Sequence, residues 1–301
     1  LGIGLISFCP YLLISVPTYD LFLLSWIPFG ISVGLYVPSA QTQISLIEQK
    51  TSKIITPIYQ AFYSLGSLTG ALSAGYFIKN ISDPKLTFIA VGYLLIFSSF
   101  FIFFFGLPLK LDVREKIRGV KLPEKEILIF GFMMMITFAT FGIIIDWSPL
   151  WLTKDLRAPI YLGGLIIIFF NLGEIFARLY SNKLIDTFNE KIVGGYFSVF
   201  ASIILAISIL IFDIYIIIIC VILFGFGTAN FLGIVLREGV KSSKEPLSLT
   251  VSNLLTMGFA GFIFGPALVG YSAEYFGLTF NMLALCLIWF LNSCLLIYIK
   301  K

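Results

Sequence analysis

Glu174 and Arg178 stand four residues apart inside an otherwise apolar run, 159–180. On a helix that spacing puts a carboxylate and a guanidinium on one face, close enough to pair. Ionisable groups inside a membrane-length segment are costly and mark sites of function by default. Two chemistries fit the pair. The carboxylate can gain and lose a proton, or meet a solute cation, as the protein changes shape. Alternatively, the two charges form a fixed ion pair that holds their helix against its neighbours. The run centres near residue 170, which places Glu174 about 6 Å from the midplane at a rise of about 1.5 Å per residue. Asp146, followed by Trp147 at the end of another apolar run, suits an outer gate or a proton entry point. It equally suits an interfacial anchor, because such pairs are common at headgroup level.

Other chemistries are excluded by residue type. The chain has no histidine, so no His nucleophile partner, metal ligand or proton relay exists. Cys9, Cys220, Cys286 and Cys294 all sit in apolar runs and read as small buried or lipid-facing residues rather than a disulfide or metal framework. No nucleophile–base constellation stands out, so an enzyme is not expected. No Gly-Lys-Ser/Thr triplet occurs, so direct drive by ATP is not expected either, and no cofactor is implied. Net charge is +4 with the basic residues spread along the chain, which gives no patch for nucleic acid.

The elements that must position these residues are transmembrane helices. Of the 301 residues, 59% are hydrophobic and only 12% charged, against about a quarter charged in soluble domains; mean hydropathy is +1.01. Apolar runs occur over 1–17, 21–46, 57–78, 86–109, 127–145, 159–180, 192–212, 214–236, 247–270 and 278–299. Their lengths fit a bilayer core, which needs about 20 residues per helix. Their continuity, without period-2 alternation, excludes a barrel. The prediction is an all-α membrane protein with ten spans. Pro10, Pro28 and Pro38 lie inside spans and should kink them.

Putting the 110–126 loop in the cytoplasm places all but four of the 20 basic residues on that side, the exceptions being Lys79, Lys85, Lys154 and Arg157. That asymmetry sets the orientation, with both ends of the sequence cytoplasmic. A repeat is also visible. Gly66, Gly70, Gly75 and Tyr76 recur as Gly261, Gly265, Gly270 and Tyr271 at an offset of 195, and Lys50-Thr51-Ser52-Lys53 recurs as Lys241-Ser242-Ser243-Lys244 at 191. Each basic turn precedes its glycine helix, so the order is kept. The six spans of 127–301 form one complete unit, and the four spans of 1–109 match its last four. The expected organisation is an incomplete amino-terminal bundle at 1–109, a linker at 110–126 and a complete six-helix bundle at 127–301. Two further helices are expected upstream.

The chain at this point resembles the major facilitator superfamily, covering that family's helices 3 to 12 in two pseudo-symmetric bundles. The turn Asn182-Lys183-Leu184-Ile185-Asp186-Thr187-Phe188-Asn189-Glu190-Lys191 is similar to the family's G-x-x-x-D-R-x-G-R-K motif. Asp186 and Lys191 match; Asn182 and Asn189 replace its glycines, and Thr187 and Glu190 its arginines. Gly258-Phe259-Ala260-Gly261, continuing to Gly265-Pro266, and Asp146-Trp147 followed by Leu150-Trp151-Leu152 resemble the bacterial branch related to sugar (fucose-type) permeases.

The resemblance implies a secondary transporter in the cell membrane. It would move a sugar or other small metabolite by alternating access, with a proton as one candidate for the coupling ion, and act as a monomer in the bilayer. Efflux, or a non-transporting sensor or remnant, are the alternatives. For Arg178 it implies a gating or structural charge network. Asp186 would face the positive amino end of the helix carrying Gly258. Tyr36, Gln41, Gln60, Tyr63, Ser64, Thr140, Asn171, Asn230 and Asn253 fall near the middle of spans that line the family's cavity, where they either contact solute or hydrogen-bond between helices at about 0.6 kcal/mol each. Related permeases often carry Asn and His where Gln41 and Gln60 stand, and loss of the His argues against proton coupling at residue 60. Gly66, Gly70, Gly261 and Gly265 read as close-packing faces, with a hinge role the smaller possibility.

Overall fold

Backbone groups in hydrocarbon must be satisfied within their own segment, so each apolar run is forced into helix. The computed structural model describes residues 2–80, 84–105 and 125–299, which form helices α1 (Gly2–Ile6), α2 (Cys9–Ser15), α3 (Tyr19–Thr51), α4 (Thr56–Asn80), α5 (Pro84–Phe105), α6 (Lys125–Lys154), α7 (Ile160–Leu179), α8 (Ser181–Glu190), α9 (Phe197–Ile211), α10 (Ile214–Thr228), α11 (Phe231–Ser242) and α12 (Leu247–Ile299), with a π-helical segment at Lys191–Tyr196. Six continuous helices among the described residues are long and apolar enough to cross a membrane. The expected linker at 110–126 lies outside the described residues except for its last two positions.

The expected runs map onto these helices, with differences that have local causes. The first run divides between α1 and α2, next to Pro10. Pro28 and Pro38 stay inside α3, where Ser32 and Thr42 donate to the Pro28 and Pro38 carbonyls at 2.6 and 2.8 Å. The ninth and tenth runs join as α12 across Gly277 (φ +78°, ψ 167°), a conformation open to glycine. Between α9 and α10 the chain turns at Phe212 in a left-handed conformation, and the Asp213 carboxylate caps α10 by accepting from the amides of Tyr215 and Ile216.

The described residues cluster into two compact units, one drawn from Leu1–Lys50 with Gly70–Gly119, the other from Thr51–Thr69 with Val120–Lys301. In the first, Gly2 lies against Tyr36 of α3, and the Tyr11 hydroxyl donates to the Ile89 carbonyl of α5 at 3.4 Å. In the second, the fully buried Trp289 lies against the rings of Phe141, Phe224 and Phe231, with centroids 6.1, 6.0 and 5.0 Å away. Glycines set how close the helices come. A Cβ on Gly173 would stand 2.1 Å from the Ile222 carbonyl oxygen, and one on Gly225 would stand 2.2 Å from that of Phe170, so α7 and α10 touch backbone to backbone. A Cβ on Gly261 would stand 2.0 Å from the Met135 carbonyl oxygen and one on Gly265 would stand 2.7 Å from Ala139 Cβ, which seats α12 on α6.

The repeat aligns Gly66 and Gly70 with this pair, but α6, the helix that Gly261 and Gly265 meet, has no counterpart within 1–109; among the described residues nothing stands within 4 Å of a Cβ built on Gly66 or Gly70. The contact at Gly261 carries an expectation of its own. Gly261→Ala, whose methyl meets backbone, should lower stability by about 1–3 kcal/mol. Thermal unfolding of the purified variant checks it, and an unchanged midpoint would contradict the packing described.

Candidate functional site

The close approach of α7 and α10 fixes where the charged pair goes. Gly173 precedes Glu174, so the helix face that meets α10 is adjacent to the one that carries the carboxylate. Glu174 and Arg178 are 4% and 3% exposed. Arg178 Nη2 donates to Glu174 Oε1 at 2.5 Å, and Nη1 donates to Oε2 at 3.1 Å. The same Nη1 donates to the Ser64 hydroxyl and, at 3.2 Å, to the Gln60 carbonyl. Ser64 in turn donates to Glu174 Oε2 at 2.9 Å. Arg178 Nε donates to the Ala229 carbonyl at 3.2 Å.

Ala229 and Asn230 form the break between α10 and α11. An interrupted helix frees carbonyls that a continuous one would consume, and irregular backbone at membrane depth persists only where protein or a cavity satisfies it. Here a guanidinium does so. The result is a clasp in which one buried ion pair of α7 grips the first half of α4 and the α10–α11 break.

Of the sequence-predicted residues, the structure gathers Glu174, Arg178, Gln60, Ser64 and Asn230. Asn230 is buried and its Nδ2 donates to the Ala177 carbonyl at 3.4 Å. Tyr63 neighbours Ser64 in sequence and is 68% exposed, within electrostatic range of Arg178. Asn171 is buried one turn before Glu174 but bonds its own helix at the Ile167 carbonyl. The others lie elsewhere. Asn253 donates to Glu245 at 3.1 Å. Asp146 is exposed on α6, two residues before the buried Ser148. Gln41 is buried on α3 with no partner for its Nε2 among the described residues, and Tyr36 packs on Gly2. Thr140 is buried on α6. Gly258 meets the Phe138 ring, and a Cβ added to Gly142 would stand 3.2 Å from Pro266.

Three features go beyond what residue spacing predicts. Arg237 Nε and Nη2 donate to Glu190 Oε1 at 3.0 and 2.7 Å, in a pair 12% and 14% exposed. The signal was present: Glu190 stands where the family motif has arginine, so the charge pairs in reverse with a cation on another helix. Arg237 itself lies seven residues after Asn230, on the same helical face. Asp155 Oδ2 accepts from the amide and hydroxyl of Thr279, both at 2.8 Å, and Trp151 donates to that hydroxyl at 2.9 Å. This ties the end of α6 to the helix that restarts after Gly277. Lastly, Asn189 has φ 64° and ψ 165°, a region essentially reserved for glycine.

Asn189 occupies the second glycine position of the family motif, so the structure gives that glycine a physical reason. The Asn189 side chain accepts from the Ile192 amide at 3.0 Å and opens the π-helical segment, which begins with Lys191. Asp186 is exposed on α8 and Lys191 half-buried, and no described hydrogen bond engages Asp186.

These features define a multi-pass membrane protein: apolar helices long enough to span, and a charge cluster buried among interrupted and closely packed helices. Residues 1–240 match the Major Facilitator Superfamily, and the chain belongs to that family. It is 23% identical over 290 residues to an uncharacterized MFS-type transporter of Yersinia pestis, covering 92% of this chain and 72% of that one. It is 22% identical over 294 residues to the membrane protein MosC of Rhizobium meliloti (96% and 71% covered). A transporter of Sinorhizobium fredii, also uncharacterized, is 21% identical over 279 residues (86% and 69%).

Two outcomes are expected. Relieving the strained backbone by Asn189→Gly should raise stability by about 1 kcal/mol, less the lost Ile192 bond, read as a higher midpoint of thermal unfolding. Breaking the buried pair on one side by Arg178→Met should cost about 3–5 kcal/mol, and the double variant Glu174→Gln/Arg178→Met should cost clearly less, because it leaves no unpaired charge. A double variant that costs the sum of the two singles would contradict a coupled pair.

Proposed function

We propose that the chain is a secondary active transporter that moves a small polar solute across the cell membrane by alternating access, with the clasp of Glu174, Arg178 and Ser64 as its gating and coupling centre. The observation that carries this reading is the buried ion pair that joins α7, the first half of α4 and the α10–α11 break through one guanidinium. Such a junction has two discrete arrangements, made and broken, because a partly opened buried charge pair is costly. Protonation of Glu174 removes half of the pair and weakens the grip on α4. A proton is therefore the coupling ion this arrangement suits, with Glu174 as its acceptor and the Arg178 cation favouring its release to water when the pair forms again.

Gln60, Tyr63 and Asn230 adjoin the clasp and are the first candidates for solute contact; Gln41, Tyr36, Asn171 and Asn253 are further candidates, and Asp146 a candidate outer gate. The Asp146-Trp147 and Gly265-Pro266 patterns support a solute of the sugar class, in keeping with the sugar-permease resemblance, while the 17% aromatic content suits the alternative of an efflux substrate. The two bundles at 1–109 and 127–301 would rock about the site, with both ends of this sequence on the cytoplasmic side and the monomer as the working unit. Transport involves no covalent chemistry, so the chain is read as a carrier and not an enzyme.

The test is transport by the full-length protein in proteoliposomes under an imposed proton gradient, across a panel of sugars and related metabolites. Wild type should accumulate a solute uphill. Glu174→Gln keeps the shape of the side chain but removes its charge and one of its two acceptor oxygens, and should abolish uphill accumulation while preserving solute exchange down its own gradient. Accumulation by the variant at the wild-type level would remove Glu174 from coupling. Failure of the wild-type protein to move any solute under any gradient would overturn the transport mechanism itself.

A further inference from the structure

Among the described residues, four groups accept hydrogen bonds from the Arg178 guanidinium, and one of them carries charge. Nε donates to the Ala229 carbonyl and Nη1 to the Gln60 carbonyl, both at 3.2 Å, and Nη1 donates to the Ser64 hydroxyl. Nη2 donates to Glu174 Oε1 at 2.5 Å, and Nη1 also reaches Oε2 at 3.1 Å. Carbonyls and hydroxyls satisfy donors, but the carboxylate alone supplies a counter-charge. Around the pair, α10 and α11 present the Ala229 carbonyl and the Asn230 amide, both uncharged. From α4 the pair meets Ser64 and, within electrostatic range of Arg178, the Tyr63 phenol, a far weaker acid than a carboxyl.

Protonation of Glu174 therefore creates a charge imbalance. The carboxyl becomes neutral, while a guanidinium stays protonated at physiological pH. An uncompensated charge buried to this degree is strongly destabilising. The open state thus calls for a new anion on Arg178. A neutral sugar cannot supply one. A cationic solute would set a second positive charge beside the first. A carboxylate restores the balance and suits the seat, because Nη1 and Nη2 already hold two carboxylate oxygens in the parallel fork that guanidinium groups offer.

We propose that the transported solute is a small monocarboxylate, a sugar acid if it comes from the sugar class, and that its carboxylate takes the place of Glu174 on Arg178. The inference rests on the transport reading above and adds the charge of the solute to it. One proton passes from water to a Glu174 oxygen and forms its O–H bond. The ion pair parts, and the carboxylate of the solute accepts from Nη1 and Nη2. On the other side the solute leaves, the proton returns to water and Glu174 closes on Arg178 again. The site has no net charge with either occupant. One proton and one monoanion cross together, so a full cycle moves no net charge. In this structure the seat is filled from within, with Glu174 and Arg178 4% and 3% exposed, and a solute reaches the guanidinium when α4 withdraws Ser64 and Gln60.

The seat is tested without transport, by thermal unfolding of full-length protein in sodium formate, the smallest carboxylate, against sodium chloride at equal ionic strength. Glu174→Ala removes the counter-charge and leaves the room it occupied. Formate at about 100 mM should raise the melting temperature of that variant by at least about 2 °C over chloride. Wild type, whose seat is filled, and Glu174→Ala/Arg178→Met, which has no cation there, should show no difference between the salts. An equal formate effect in all three proteins, or none in Glu174→Ala, would overturn the proposal. A second measurement uses the unaltered protein in proteoliposomes, with each sugar of a panel paired with its acid form. The acid should accumulate uphill under a proton gradient at zero membrane potential, and should not accumulate under a membrane potential alone. Uphill accumulation of the neutral sugar, or accumulation driven by potential alone, would overturn the carboxylate proposal and leave proton-coupled transport standing. Movement of no solute under any gradient would overturn the transport reading, and this proposal with it.

Discussion

A guanidinium buried among apolar helices needs a partner for each of its nitrogens, and Arg178 meets that demand by recruiting from three helices. Its partners are the Glu174 carboxylate on its own helix, the Ser64 hydroxyl and Gln60 carbonyl on α4, and the Ala229 carbonyl at the α10–α11 break. Each partner constrains something larger. The carbonyl of Ala229 is available because the helix is interrupted there. The approach of α7 to α10 is short enough because Gly173 and Gly225 lack side chains. The first half of α4 groups with the C-terminal helices, and its Gln60 and Ser64 meet the same cation. Close packing and helix interruption thus meet at one charge satisfied without water.

The rest of the second unit can be understood as support for that arrangement. The aromatic cluster around Trp289 and the α12–α6 contact at Gly261 and Gly265 form a closely packed, largely apolar frame around it. The second ion pair, Glu190 with Arg237, is less deeply buried and joins the end of α8 to α11. It lies beside the strained Asn189 and the π-helical start of the following span, features that commonly accompany functional sites and mobile joints. Family membership places the chain among membrane transporters. The arrangement adds a physical reason for movement between states, since a charge pair shared by several helices is either closed or open and has little stable ground between.

Much of this was legible in the sequence. Helix existence followed from run length, because lipid leaves the backbone no alternative. The Glu174–Arg178 pair followed from a spacing of four, which is local geometry. Asn189 was marked as a departure from a motif glycine, and its backbone angles show what that glycine is for. What was not legible is long-range. Nothing in the spacing of Ser64 and Gln60 points to Arg178, more than a hundred residues away. The Glu190–Arg237 pair was hidden because Arg237 reads as an ordinary cytoplasmic charge when only topology is considered. The repeat aligns Gly66 and Gly70 with Gly261 and Gly265, but α6, on which the latter pair sits, has no counterpart within 1–109, so the same motif has a described contact in one unit only.

The central claim is that the clasp holds the first half of α4 to α7 and α11 in one state and releases it in another. It is tested most directly by measuring the distance between spin labels placed at Lys53 and Lys183 in a cysteine-free protein reconstituted in lipid. The account predicts two distance populations, with the longer one enriched when Glu174→Gln removes the carboxylate charge. A single distance, unchanged by that substitution, would contradict it.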